Sequence, residues 1–342
     1  MALSDRRARI LALIVEDYVA SAQPVGSQAL VRKHGLNLSS ATVRNEMSAL
    51  EEEGYITHPH TSAGRLPSTR GYRYYVSQLM AERQLSVEEQ MTILHQFHQS
   101  AREVEEWMGL AASVLSNSMH SLALATQPRL REVRLKHIQL VELTDQRALL
   151  IVVTNDASVH QQTLEFDRPV HQEQLNRVSN RVNDELAGVT AAQISAEPSD
   201  NPYDAVEAKV RRAVADLLRR EESMVVEIPV IEGIRELLRQ PEFEDSDRML
   251  DTLTAIEAKQ LQRALPADAL HQADVVVVIG DENREGPYQD LSFVLARYGP
   301  PGGAGGMVGI LGPTRLPYGD AVAHVRYVGE VLTELIQNFY GS

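Results

Sequence analysis

Pro24, Gly35 and Gly54 divide the first 54 residues into three short pieces, each with an apolar stripe at helical spacing. Ile10, Leu13, Ile14 and Tyr18 predict a helix from about Ser4 to Ala22, which Pro24 stops. A second helix opens at Ser27, a capping residue type, carries Leu30 and Val31 inward and leaves through Gly35, which tolerates the left-handed exit of a helix C-terminus. The third begins near Ser39 or Ser40 and ends at Gly54, with Val43, Met47 and Leu50 as its buried side. Its other face carries Ser40, Thr42, Arg44, Asn45 and Ser48, the small and hydrogen-bonding residues of a DNA recognition helix. Tyr55 to His58 reads as a strand, and His60 to Leu66 as the turn after it, with Gly64 as a flexible tip and Arg65 as its charge. Three helices followed by a hairpin give a winged helix-turn-helix.

The formal charge of −14, from 33 Lys and Arg against 47 Asp and Glu, argues at first against a nucleic-acid binder. Its distribution reverses the argument. Residues 1–76 hold nine basic and seven acidic side chains, so the acidity belongs to the remainder. Residues 60–76 contain Arg65, Arg70 and Arg73 with no acid, interleaved with Tyr72, Tyr74 and Tyr75. That is a local phosphate-binding composition on an acidic protein. Arg44 suits a bidentate pair with guanine and Asn45 one with adenine, the alternatives being phosphate contact for Arg44 and a cap or solvent for Asn45. Ser40 and Thr42 suit phosphate or the helix end. Arg65, Arg70 and Arg73 read as phosphate contacts or as exposed charges, and the three tyrosines as packing at a hinge between head and body.

At 342 residues the chain exceeds one hydrophobic core, which gives two or three domains. From 77 to about Ala125 the period stays helical, through Val104, Met108, Ala111, Leu115, Met119 and Leu122. Val133 to Leu143, Ala148 to Thr154 and Val159 to Phe166 then read as a three-strand meander. Two polar-apolar helices, Gln172 to Leu186 and Pro202 to Arg220, interrupt it around a loop from Ser195 to Asn201. Strand signals resume at Met224 to Pro229, Val275 to Gly280, Leu291 to Tyr298 and Met307 to Leu311, with a helix from about Asp247 to Leu265 between them and a last helix from Asp320 to Phe339. The expected organisation is an α+β multidomain protein: a DNA-binding head over 1–76, a helical connector over 77–126, an α/β domain in two parts over 127–169 and 223–342, and an insertion over 170–222.

The chain has no cysteine, which removes thiolate chemistry and fits a reducing compartment. The early apolar run from Ile10 to Val15 is too short to span a membrane, and Glu16 and Asp17 follow it, so the expectation is a cytoplasmic protein without membrane partners. The glycines at 299, 302, 303, 305, 306, 309 and 312, the feature that most suggests an enzyme, match neither a Walker loop nor a dinucleotide fingerprint. Asp281 and Glu282 are adjacent carboxylates, but no nucleophile or metal-ligand histidine spacing accompanies them. The expectation is no catalysis, no metal and no cofactor.

Longer runs carry a resemblance. Pro24-Val25-Gly26-Ser27, Ser40-Ala41-Thr42-Val43-Arg44-Asn45-Glu46-Met47 and Leu50-Glu51-Glu52-Glu53-Gly54-Tyr55-Ile56 resemble the N-terminal domain of the HrcA heat-inducible transcription repressors. His60-Thr61-Ser62-Ala63-Gly64-Arg65-Leu66-Pro67 and Gly71-Tyr72-Arg73-Tyr74-Tyr75 are similar to that family's wing and exit segment. Val278-Ile279-Gly280-Asp281-Glu282-Asn283 and Val308-Gly309-Ile310-Leu311-Gly312-Pro313-Thr314-Arg315 are similar to its rear-domain signatures. Ser68-Thr69 stands after Pro67 where the family more often has Pro-Thr, a difference confined to a helix cap. The resemblance implies that the α/β domain is GAF-like and that the insertion dimerises. It also implies that a homodimer binds an inverted-repeat operator of chaperone genes in double-stranded DNA, loses activity on heating and regains it through the chaperonin GroEL. Dimer contact would come from the inserted helices or the 101–125 helix, each of which would serve equally as an intramolecular core helix. A ligand-sensing regulator of another operon is the alternative, because GAF-like domains elsewhere bind small molecules.

Overall fold

The computed structural model describes residues 3–58, 64–81, 83–100, 104–130, 133–155, 158–194, 202–223, 229–266, 273–283, 286–300 and 303–340. Helix α1 (Asp5–Ser21) starts from Ser4, whose hydroxyl accepts from the Arg7 N–H, and ends on Ala22 in the left-handed region at φ 53°. In α2 (Ser27–His34) Gly26 takes the capping place expected for Ser27, which becomes the first helical residue, and Gly35 makes the left-handed exit at φ 57°. Helix α3 (Ser40–Glu52) is capped by Ser39, which accepts from the Thr42 N–H at 3.0 Å. Strand β1 (Ile56–Thr57) pairs antiparallel with β2 (Leu66–Pro67). Of the turn expected over His60 to Leu66, residues 60–63 lie outside the described residues, and Leu66 already belongs to β2. Ser68 caps α4 (Thr69–Tyr74) by accepting from the Gly71 N–H at 3.1 Å, and the helix runs on as one π-helical turn over Tyr75–Leu79.

Helices α5 (Val87–Ser100) and α6 (Val104–Met119) follow. The helical pattern was expected to reach Ala125, but the chain turns at His120, at φ 49°, and Leu122–Ala125 is β3, buried at all four positions. Four consecutive apolar residues satisfy a helix period and a doubly buried strand equally well. Pairing with a distant strand decides between them.

The chain divides into two compact units. The first comprises residues 1–127, 226–299 and 306–342, and the second 128–225 and 300–305. In the second unit, β4 (Arg129–Leu130) pairs with residues 304–305. Strands β5 (Leu135–Thr144), β6 (Arg147–Thr154) and β7 (Val159–Glu165) form an antiparallel sheet of their own in sequential order. The meander expected over 133–166 is therefore present, and it belongs with the two helices that follow it rather than with the sheet near the C-terminus. Helix α7 (Gln172–Leu186) and helix α8 (Pro202–Ser223) cover one face, where Leu175, Val178, Val182, Val210, Val214 and Leu218 meet Ile138, Leu140, Leu150 and Val152. The polar side of α7 also closes the outer edge of β5. Asn183 accepts from the Ile138 N–H at 2.7 Å and donates to the Ile138 carbonyl at 3.0 Å, while Ser179 accepts from the Leu140 N–H at 3.1 Å. Such pairing covers an otherwise open strand edge. The loop expected over 195–201 lies outside the described residues.

The first unit resumes with β8 (Val230–Glu232), α9 (Ile234–Leu238), α10 (Ser246–Ala255) and α11 (Ala258–Ala264). The single helix expected over 247–265 is thus two, and the strand expected over 224–229 falls almost wholly outside the described residues. Strands β9 (Val275–Ile279), β10 (Leu291–Tyr298) and β11 (Ala304–Pro313, in this unit from residue 306) and helix α12 (Tyr318–Tyr340) complete the unit. The main sheet runs β8-β3-β11-β10-β9, antiparallel throughout. Leu122, Leu124, Phe293, Leu295 and Leu311 on one face pack with Leu237, Phe243, Ile256 and Leu261 from the α9–α11 segment. Helices α6 and α12 pack against the sheet on β3 and β10. With partners on both faces, β10 and β11 read as continuous apolar runs instead of alternating ones.

Candidate nucleic-acid interface

Helix α3 presents two distinct sides. Val43 and Leu50 are fully buried and Met47 nearly so, against α1 and α2. Ser40, Arg44 and Asn45 are exposed on the other side, with Thr42 and Ser48 half-buried beside them. The Thr42 hydroxyl lies 2.8 Å from Ser39 Oγ, and Ser48 Oγ donates to the Arg44 carbonyl at 3.1 Å. Both hydroxyls are thus partly occupied within the helix. The side chains of Arg44 and Asn45 make no hydrogen bond or ion pair among the described residues. An unpaired guanidinium and an unpaired amide on one exposed helical face are the groups that can form bidentate bonds to base edges.

The three arginines after the hairpin turn are held differently. Arg65 is half-buried and pairs with Glu51 of α3 at 2.7 Å, and its Nε is buried without a hydrogen bond. Glu51 also takes the His58 ring, so one carboxylate at the end of α3 holds the residue after β1 and the residue before β2. The backbone completes that grip, since Val25 and Arg65 exchange N–H···O bonds of 2.7 and 2.9 Å. Gly64 lies so close that a Cβ would stand 2.7 Å from the Pro24 carbonyl. Arg70 is exposed, donates to the Glu53 carbonyl at 2.7 Å and stacks 4.5 Å from the Tyr55 ring centroid. Arg73 leaves the head altogether. Its Nε donates to Glu282 at 2.6 Å, and its Nη2 donates to the Val277 carbonyl at 2.6 Å and again to Glu282. Donation to the Glu282 carboxylate raises the Arg73 pKa above its ordinary value.

Further contacts join the same surfaces. Thr69 Oγ1 donates to Asp281 at 3.1 Å, and Arg315 reaches the Val19 carbonyl at 3.3 Å while pairing with Glu242. Tyr72 packs edge-on against Tyr318 at 5.7 Å, with burial pushing both phenol pKa values up. The tyrosine segment expected as a hinge thus lies at a packed joint. Asp281 and Glu282, singled out in the sequence only as adjacent carboxylates, bind the exit segment of the head. No local signal could reveal that role, because their partners lie more than 200 residues away.

Among the described residues, no group of three or more His, Asp or Glu could hold a metal, and no helix is long and apolar enough to cross a membrane. The family model described as "HrcA protein C terminal domain" matches residues 105–322. Relatives named heat-inducible transcription repressor HrcA match nearly end to end. That of Herpetosiphon aurantiacus is 41% identical over 99% of this chain and 97% of its own length. Those of Roseiflexus castenholzii and Dehalococcoides mccartyi are 38% and 37% identical, again over 99% of this chain, and over 96% and 98% of their own lengths. A crystal structure described as a hypothetical protein shares the fold with a TM-score of 0.59 at 20% identity, over 98% of this chain and 99% of that one. The α+β multidomain architecture and the full-length similarity agree, and the chain belongs to the HrcA family of heat-inducible transcription repressors.

Proposed function

We propose that the chain represses chaperone genes in the cytoplasm by reading an inverted-repeat operator as a homodimer, through a winged helix-turn-helix in which α3 is the recognition helix. The observation that carries this reading is the exposed pair Arg44 and Asn45, without a side-chain partner among the described residues, opposite the buried stripe of Val43, Met47 and Leu50. Ser40, Thr42 and Ser48 flank that pair and supply phosphate or helix-end contacts. Arg65 and Arg70 stand beside the hairpin within the same head, where an incoming phosphate competes with Glu51 and the Glu53 carbonyl for their donors. Arg73 is committed to Glu282 and contributes least to DNA contact.

A single head reads too few base pairs for useful specificity, so two heads on a symmetric dimer are the economical arrangement. We assign the dimer contact to the second unit. Its β6 alternates, with Ala148, Leu150 and Val152 turned to α7 and α8 and Leu149, Ile151 and Val153 only half-buried on the other side. The sheet of the first unit, with helices near both faces, takes the GAF-like role, and heat inactivation with reactivation by the chaperonin completes the cycle.

The test is binding of the full chain to a labelled duplex carrying the inverted repeat that precedes chaperonin genes, against a scrambled duplex. Salt is held fixed, and binding is measured before heating, after heating and with added chaperonin. Specific binding that heating abolishes and chaperonin restores is the expected outcome. A folded dimer with no preference for the repeat would refute the operator assignment and leave the ligand-sensing alternative.

A further inference from the structure

The proposed reading places DNA contact in the head and leaves open what points two heads at two half-sites. Within the first unit, α3 is tied to the rest of the head by ion pairs of Arg7 with Glu46 at 3.0 Å and with Glu53 at 2.5 Å, and by Arg70 on the Glu53 carbonyl. Whatever fixes α4 therefore fixes the direction of α3. Helix α4 meets the body through Tyr72 against Tyr318 and through polar contacts centred on one turn, Gly280-Asp281-Glu282, which follows β9.

This turn is shaped for the task. Gly280 holds φ 49°, and a Cβ there would lie 2.8 Å from Thr69 Oγ1, so α4 sits directly on its backbone. Asp281 accepts from Thr69, and Glu282 takes two donors of Arg73. The Ile279 N–H donates to Glu282 at 2.8 Å, which orients the carboxylate toward the arginine. A planar guanidinium held by a carboxylate at two points and by the Val277 carbonyl at a third specifies an angle as well as a distance. The pair is about one third exposed, so it is not a buried charge on which folding depends. Its geometry suits orientation better than global stability.

We propose that the Gly280–Glu282 turn is the seat that sets the angle of the DNA-reading head, and that Glu282 and Asp281, acting through Arg73 and Thr69, are positioning residues for recognition of paired half-sites. Neither carboxylate touches DNA. Each acts on the spacing at which two heads can bind together, an avidity effect that depends on geometry more than on contact strength. The inference rests on the reading of α3 as the recognition helix in a dimer.

The experiment uses the full chain, wild type and Glu282→Gln, with Thr69→Val as a second variant that removes only the hydroxyl bond to Asp281. Binding is measured to a duplex with one half-site, to the parent inverted repeat, and to repeats whose spacer is lengthened or shortened by one and two base pairs, with thermal unfolding recorded in parallel. For Glu282→Gln we expect half-site affinity and unfolding midpoint to stay at wild-type values, affinity for the parent repeat to fall roughly tenfold, and the spacing preference to flatten. Thr69→Val gives the same pattern more weakly, and it carries the test if Glu282→Gln fails to fold. A spacing profile identical to wild type in folded variants overturns the proposal. Equal loss on the half-site and on every repeat also overturns it, because that is the signature of a contact or a general stability effect. Failure of the wild type itself to prefer the repeat over scrambled DNA is a different result, and it refutes the reading of α3.

Discussion

Arg44 and Arg65 are both arginines of the head, yet their surroundings assign them different work. Arg44 projects from the exposed face of α3 with no partner among the described residues, whereas Arg65 is anchored to Glu51 at 2.7 Å. Replacing Arg44 with alanine should therefore cost about 1–3 kcal/mol at one base pair and relax preference there, as read by affinities for single-base variants of the repeat. Arg65→Ala should weaken all duplexes alike and lower the slope of log affinity against log salt by about one. If both variants merely scale affinity, α3 does not read bases. His324 on α12 poses a separate question of protonation. It is 8% exposed, and burial depresses its pKa below the ordinary 6.5. The unfolded chain then takes up a proton before the folded one does, so stability is complete above the ordinary value and falls as pH drops through it toward the depressed one. Denaturant midpoints at pH 7.5 and 5.5 should show a loss in the wild type that His324→Gln diminishes. An equal loss in both would place the acid sensitivity elsewhere.

At the scale of elements, the helices of the head were legible because their signals are short-ranged. Ser39, Gly35 and Gly54 act within one turn of the residues they cap or release, and the stripe of Val43, Met47 and Leu50 repeats within two turns. Strand β3 was not legible, since Leu122-Ala-Leu-Ala continues the period of α6 and becomes a strand only by pairing with β11. Helix α7 combines both kinds of information. Its apolar side follows from periodicity, but the role of its polar side in satisfying β5 appears only in the fold. Asn183→Ala removes the partners of both the N–H and the carbonyl of Ile138, and should lower the free energy of unfolding by about 1–3 kcal/mol in a denaturant titration. A change within error would mean that water replaces the amide at this edge. The half-buried side of β6 is the face to which we assign the proposed dimer contact. A charge at its centre, Ile151→Glu, should shift the light-scattering mass toward monomer and weaken the inverted repeat far more than a single half-site, by roughly a hundredfold. Retention of the dimer mass would exclude this face.

Considered as a whole molecule, the protein distributes tasks by charge and by unit. The acidic balance lies outside the first 76 residues, which keeps the net charge at −14 while the head stays slightly basic. Such a balance limits unspecific attraction to DNA, so that in the proposed reading specific contacts carry more of the recognition. The second unit has its own core beneath its own sheet, so the proposed dimer contact and the proposed DNA contact lie in different compact units. Heating can then weaken one without melting the other, provided either is marginal in stability.

The sequence by itself determined the short helices of the head, the outward face of α3, the three-strand meander and, through long shared runs, the family. Each of these is encoded by residues a few positions apart or by direct similarity. Tertiary structure decided which arginines remain available. Arg65, Arg70 and Arg73 look equivalent along the chain, but one is clamped by Glu51, one lies on Tyr55 and the Glu53 carbonyl, and one is paired across 209 positions with Glu282. It also decided that β3 is a strand and that the meander closes on α7 and α8. A local period fixes which way a side chain faces, whereas its partner depends on where the folded chain brings distant segments, and that juxtaposition follows from the packing of the whole core.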